Sequence, residues 1–340
     1  VKRRQSFPIR SWVDLPHFFL DGIPFPGLPK LLLTATHLVS LGLANFPDSG
    51  YISPEAMAAL LSALSSLKVL FLDFESSQSR PDWQSRSLPP PKRSILPALE
   101  DFRFKGVTKY LEEFVTIVDA PQLDKLQITF FDQIDFDTQR LAQFINRTSK
   151  LGKRDEAHVK FDYLRVYVLF GTGCLDISIP STEPDRQLSS VAQVCNSSLP
   201  STVEDLYIEP HWTQYTSLVW KSDAIQNALW LQLLLPFTAL KNLYLSKQFA
   251  PGIAAALQEL VGTRITEVLP SLQNIFVEKL RPSGPFQENI GQFVAARQLS
   301  DHHITISDWH RALLVEPPDD NDSNSDDNDS EDNDSDMESM

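Results

Sequence analysis

One apolar spacing recurs along this chain and limits what it can fold into. A large apolar residue is followed by a second three places later and a third two places after that. The clearest copy is Leu240-Lys-Asn-Leu243-Tyr-Leu245. Earlier copies read Leu38-x-x-Leu41-x-Leu43, Leu67-x-x-Leu70-x-Leu72, Leu99-x-x-Phe102-x-Phe104 and Leu123-x-x-Leu126-x-Ile128. Phe161-x-x-Leu164-x-Val166 and Val203-x-x-Leu206-x-Ile208 are looser. Leu272-x-x-Ile275-x-Val277 is the last clear copy, and Leu15-x-x-Phe18-x-Leu20 is a candidate first one. Successive starts lie 23, 29, 32, 24, 38, 42, 37 and 32 residues apart.

The last two apolar residues of each copy are two apart, so they face the same side of a strand. The first lies in the turn that enters the strand. All three point into a core shared with a returning segment. One such unit cannot bury its apolar side alone, so neighbours must stack. Any one copy arises readily by chance in a leucine-rich chain; nine in order are the leucine-rich-repeat signature of one short strand plus a return per repeat. The expected fold is an α/β, leucine-rich-repeat-like solenoid, a horseshoe of irregular repeats over 11–315. A disordered acidic tail is expected over 316–340.

Charge supports that division. The formal net charge is -14, but 316–340 hold twelve Asp or Glu and no Lys or Arg. The remaining 315 residues carry 30 basic and 32 acidic side chains, about -2 net. A nearly neutral folded part makes no case for nucleic acid. The tail is Asp, Asn and Ser with almost nothing to bury. It reads as a solubilising segment, or as acid-directed phosphorylation sites at Ser323, Ser325, Ser330 and Ser335. Two cysteines, Cys174 and Cys195, form no disulfide framework and point to a reducing compartment, cytoplasm or nucleus. No uncharged apolar run is long enough to span a membrane.

Between the strands the expected elements follow from local signals. Ser53-Pro54-Glu55 starts a helix, with Ser53 as cap and Met57, Leu60, Leu61 and Leu64 on one face. Further helices are expected over 110–118, 137–148 (capped by Asp137), 188–195, 224–235, 253–261 and 286–298. Tyr163–Phe170 and Cys174–Ile179 flank Gly171-Thr-Gly173, which predicts a hairpin and the expansion of one repeat into two strands. Ile304-Thr-Ile306 is a candidate closing strand. Residues 76–93 read as an exposed loop, whose Trp83 either tucks against the solenoid edge or meets a partner.

The connecting segments carry a family resemblance over about residues 11–315. Its pieces are Ile23-Pro-Phe-Pro-Gly-Leu-Pro-Lys-Leu-Leu-Leu33, Gly50-Tyr-Ile-Ser-Pro-Glu-Ala56, Ser79-Arg-Pro-Asp-Trp83 and Asp132-Gln-Ile-Asp-Phe-Asp137. Leu272-Gln-Asn-Ile-Phe-Val277 and Pro282-Ser-Gly284 with Ile290-Gly-Gln-Phe-Val294 add to it. In these segments the chain resembles basidiomycete fungal F-box proteins with degenerate leucine-rich repeats. The resemblance implies repeats that hold a protein substrate for a cullin-type ubiquitin ligase. An F-box opening is not evident: Leu15-Pro16 leads straight into a strand-like stretch. Adaptor binding is therefore expected only if such a segment lies upstream of residue 1. The alternative is a stand-alone scaffold or a truncated paralogue without a ligase role.

No phosphate-binding loop, dinucleotide fingerprint or nucleophile elbow is present. His302, His303 and His310 lie close in sequence without converging ligands of metal spacing. Glu112 and Glu113 read as a pair on a solvent-facing helix side. No enzyme, cofactor or metal is expected. Binding is expected on the concave sheet face, at the outward positions of each strand. The position between the last two apolar residues reads Gly42, Phe71, Arg103, Gln127, Arg165, Tyr207, Tyr244 and Phe276. The next outward step includes Asp73, Lys105, Thr129, Tyr167, Glu209, Ser246 and Glu278. Within this set an aromatic ladder is expected to run from Tyr167 to Phe276. It either meets a partner protein or only stabilises the sheet by cross-strand stacking.

Overall fold

The computed structural model describes residues 16–22, 32, 35–47, 50–75, 93–151, 154–197, 199–211, 227–260, 262–280 and 283–310. Trp83, Trp212, Trp220 and the stretches 1–15, 76–92 and 311–340 lie outside the described residues. One compact unit ends at Trp309 and holds the repeat strands and helices.

Strands and helices alternate as the repeat spacing requires. β1 (His17–Asp21), β2 (Ser40–Phe46), α1 (Pro54–Leu61), β3 (Val69–Phe74), β4 (Ser94–Ile95), β5 (Asp101–Gly106), α2 (Thr108–Ile117), β6 (Val118–Asp119) and β7 (Lys125–Phe130) form the first half. α3 (Gln139–Arg147), β8 (Glu156–Phe161), β9 (Arg165–Phe170), β10 (Leu175–Pro180) and α4 (Pro184–Cys195) make the middle. β11 (Asp205–Pro210), α5 (Asn227–Leu234), β12 (Asn242–Leu245), α6 (Ala250–Gln258), β13 (Asn274–Glu278), α7 (Pro285–Leu299) and β14 (Thr305–Trp309) complete it. Both candidate end strands are present, β1 beside β2 and β14 beside β13.

Among the described residues twelve strands join one sheet in the order β1-β2-β3-β5-β7-β10-β9-β8-β11-β12-β13-β14, and β4 pairs with β6 in a small separate ladder. The repeat strands pair in parallel and in register, Leu41 beside Leu70, Phe102 and Leu126, and Leu206 beside Leu243 and Ile275. These inward residues are buried and form one continuous core with the helices. The architecture is a leucine-rich-repeat-like α/β solenoid, with strands on one side and return helices on the other.

The middle departs from the expected two-strand expansion. Three strands, β8, β9 and β10, form an antiparallel meander, and its order is reversed: β10 lies beside β7, and β8 beside β11. The hairpin about Gly171 and Gly173 is present, with φ of 63° and 86° that glycine adopts without strain. The repeat copy at Phe161-Leu164-Val166 is not a repeat. Asp162 accepts backbone N–H bonds from Leu164 (2.6 Å) and Arg165 (3.1 Å), which turns the chain back directly after Phe161. Leu164 is left 53% exposed in that turn, and Val166 belongs to the returning strand β9.

The helix layer carries its own cross-links. Ser53 accepts from Ala56 N (3.3 Å) with Pro54 opening α1, as the residues predict. In α3 the cap is different. Asp137 reaches only Gln139 N (3.2 Å), while Arg140 N and Leu141 N donate to the Glu112 carboxylate of α2 at 2.9 and 2.7 Å. Glu112 is therefore 6% exposed rather than solvent-facing. Burial pushes its carboxyl up from the usual range, against the two N–H donors that pull it down. In return, Arg147 of α3 donates to the Val115 and Val118 carbonyls at the end of α2, and to Asp119 (2.9 Å). Each helix of this pair satisfies the backbone end of the other. Arg297 of α7 acts similarly. It is fully buried and donates to the Val268 and Leu269 carbonyls at 2.7 and 2.8 Å, in the turn before β13.

These contacts set the cost of three substitutions. Replacing Glu112 with Ala leaves the buried Leu141 N–H and the part-buried Arg140 N–H without an acceptor and should lower unfolding stability by about 1–3 kcal/mol in denaturant titration. In the meander, Leu164→Ser should cost less than about 0.5 kcal/mol and Phe161→Ala about 3–5 kcal/mol. Equal costs would return Leu164 to the core.

Candidate interaction face

Strand residues that do not point into the core form the open face of the sheet, and register fixes which of them meet there. In the last repeats Tyr207, Tyr244 and Phe276 are direct neighbours. Their rings stack: Tyr207 on Tyr244 at 4.2 Å and 7°, Tyr244 on Phe276 at 4.6 Å and 10°. The first member is His158 of β8, opposite Tyr207 and stacked on it at 4.4 Å and 11°. Trp309 of β14 closes the group. Its indole lies tilted against Tyr207 and Tyr244, with centroids 5.8 and 5.6 Å away. Burial raises the phenols of both tyrosines, helped at Tyr207 by Tyr244 and Glu156, so both stay protonated donors near neutral pH.

Tyr167, expected to begin the ladder, does not. Strand reversal places it opposite Lys160, one outward step further along, where it stacks on His211 at 4.3 Å. The leucine spacing does not reveal His158 and Trp309, because their strands, Glu-Ala-His-Val-Lys-Phe and Thr-Ile-Ser-Asp-Trp, contain no leucine. The alternation in the first is the signal available.

Beside the rings runs a polar ladder. Thr305 donates to Asn274, Asn274 to Asn242 (2.7 Å) and Asn242 to the Asp205 carboxylate (2.6 Å). Glu156 is the register neighbour of Asp205 and is bonded to His158 Nε2 at 2.6 Å. On the other side Glu209 is 3% exposed, held by Lys160 and by His158 Nδ1, each at 3.3 Å. Glu278 accepts from Lys247 N at 3.3 Å.

The remaining expected residues occupy the other half of the face. Phe71 stacks on Phe19 of β1, which is 62% exposed, with centroids 6.3 Å apart. Gly42 lies between them in register, and the Phe19 ring covers it where a Cβ would stand. Arg103 pairs with Asp101 (2.8 Å) and Lys105 with Asp73 (2.9 Å). Gln127 faces Asp176 of β10, whose carboxyl is raised by burial.

Among the described residues no group of three or more His, Cys, Asp or Glu side chains could hold a metal ion, and no helix is long and apolar enough to cross a membrane. Both cysteines are free. Burial pushes the Cys195 thiol up to about 12, and Cys174 Sγ lies 2.9 Å from the Leu151 carbonyl.

No protein-family model and no curated protein matches the chain. Among solved structures it is similar to a leucine-rich repeat-containing protein of Legionella pneumophila, at 14% identity and a TM-score of 0.32, over 86% of this chain and 95% of that one. It is also similar to a leucine-rich-repeat protein of Leptospira interrogans, at 10% identity and a TM-score of 0.21, over 88% and 79%. The fold assignment rests on the strand order and register of the chain itself.

The contact of Phe19 with Gly42 has a testable consequence. Gly42→Ala should destabilise the protein by about 1–3 kcal/mol through overpacking, and Phe19→Ala should relieve most of that cost in a double-mutant cycle. Additive effects would remove the ring from Gly42.

Proposed function

We propose that this chain is a non-catalytic protein-interaction module whose binding surface is the open face of its sheet. The observation that carries this reading is the aromatic ladder. Rings that would serve stability best inside the core stand instead on the open face, half-buried and in register. Tyrosine and tryptophan in such places supply contact area at low entropic cost. Within that reading, the fungal F-box resemblance favours a substrate-holding arm of a cullin-type ubiquitin ligase. The ligase adaptor would be a partner only through an F-box upstream of residue 1. A scaffold without ligase role is the alternative.

The same proposal assigns 11–315 to the interaction domain and 316–340 to an acidic tail, with no nucleic-acid or membrane partner. Two unpaired cysteines favour the cytoplasm or nucleus.

Tyr207→Ser combined with Tyr244→Ser separates binding from packing. We expect an unchanged melting temperature to within a few degrees, as for surface substitutions, together with loss of a partner recovered by wild type in affinity purification and mass spectrometry. A melting temperature lowered by about 10 °C or more, with the partner retained, would assign the ladder to sheet stability alone. Recovery of a cullin-ligase adaptor with a chain extended upstream would support the ligase reading over the scaffold.

A further inference from the structure

Charge is not spread evenly over the open face. On β3, β5 and β7 the outward side chains offer three cations, Arg103, Lys105 and Lys125, to two acids, Asp73 and Asp101. On β8 and β11 to β14 the balance reverses. Four carboxylates, Glu156, Asp205, Glu209 and Glu278, stand with one lysine, Lys160. Lys160 is already committed to the buried Glu209.

These acids border the aromatic group in register. Glu156 and Asp205 sit side by side one outward step before His158 and Tyr207. Two like charges directly opposite each other in a sheet repel. Asp205 is held by a hydrogen bond from Asn242, on the side away from Glu156, and Glu156 is bonded to His158 Nε2 along its own strand. The donor chain Thr305–Asn274–Asn242 runs toward Asp205, so its dipoles add to favour negative charge at that end. Glu278 lies one outward step beyond Phe276, on the other border of the rings. Trp309 packs at a steep angle against Tyr207 and Tyr244 and is partly exposed.

Resting on the interaction reading, we propose that the β8 and β11–β14 part of the open face binds an extended, arginine-bearing segment of a partner protein. A guanidinium pairs with carboxylates in a planar fork and stacks on aromatic faces, which lysine does less well. Glu156 with Asp205 on one border and Glu278 on the other supply the first contact, and Trp309 the second. The chain's own acidic end is the wrong occupant, since its twelve Asp or Glu between 316 and 340 repeat the charge of this surface.

The test uses the full chain and two labelled synthetic peptides carrying a photo-crosslinker, one arginine-rich and one with glutamate at every arginine position. We expect the arginine peptide to bind by fluorescence anisotropy, to weaken with added salt, and to crosslink to β11–β14. In Glu156→Gln/Asp205→Asn/Glu278→Gln, checked for folding by thermal melt, affinity should fall roughly tenfold. If that triple variant fails to fold, Glu278→Gln alone should lose about twofold to threefold. Unchanged affinity in the variants, no arginine-peptide binding, or capture of the glutamate peptide by these strands would overturn the inference while leaving the open-face reading standing. Crosslinks confined to the helices would contradict both. Self-association that disappears in the triple variant would also overturn it, by making a second copy the occupant.

Discussion

In-register parallel pairing of short strands is the constraint on which the rest of the molecule depends. A strand of this kind has one apolar side and buries it only if its neighbours present theirs at the same height. Leu41, Leu70, Phe102 and Leu126 meet that condition across four strands, and Leu206, Leu243 and Ile275 across three more. Each such side chain contributes about 1.5–3 kcal/mol when fully buried. A one-residue slip would send the whole row to the open face. The same register then decides the opposite side. Tyr207, Tyr244 and Phe276 stack because their inward neighbours align, and the aromatic row on the open face is a by-product of the core's alignment.

The return helices are held by another device. Apolar contact alone leaves helix ends unsatisfied. Between α2 and α3 the two ends are exchanged: Glu112 serves the start of one helix and Arg147 the finish of the other. Both charged groups are taken partly out of water, which is costly unless their bonds are complete. Here they bond mainly to backbone. This ties successive repeats at the helix side as hydrogen-bond ladders tie them at the strand side.

Much of this architecture is legible in the chain, and the limits have physical causes. Inward positions follow a two-residue period that leucine marks clearly, so most strands, the helix at Pro54 and the Gly171–Gly173 hairpin can be read directly. The Phe161 copy misleads because Leu164 has the right type at the right spacing. What decides its place is Asp162, whose short carboxylate captures two backbone N–H groups and reverses the chain. Glu112 looks like its neighbour Glu113, and its partners lie 28 and 29 residues ahead in another helix. No local pattern announces that. On the open face Tyr207, Tyr244 and Phe276 are visible as a row. The reversed meander is not, and it puts His158 where Tyr167 is expected.

The continuity of the open face runs through that reversal, so its strand order decides which outward side chains meet there. A cysteine pair tests it in a background with Cys174→Ser and Cys195→Ala. Neighbouring strands bring Cα atoms within disulfide reach, and strands two or more apart do not. Gln127→Cys with Asp176→Cys should crosslink rapidly on mild oxidation, and Gln127→Cys with His158→Cys should remain reduced. The opposite result, with Gln127 bridged to position 158, would place β8 beside β7, restore a regular repeat order and contradict the surface built on the reversed one.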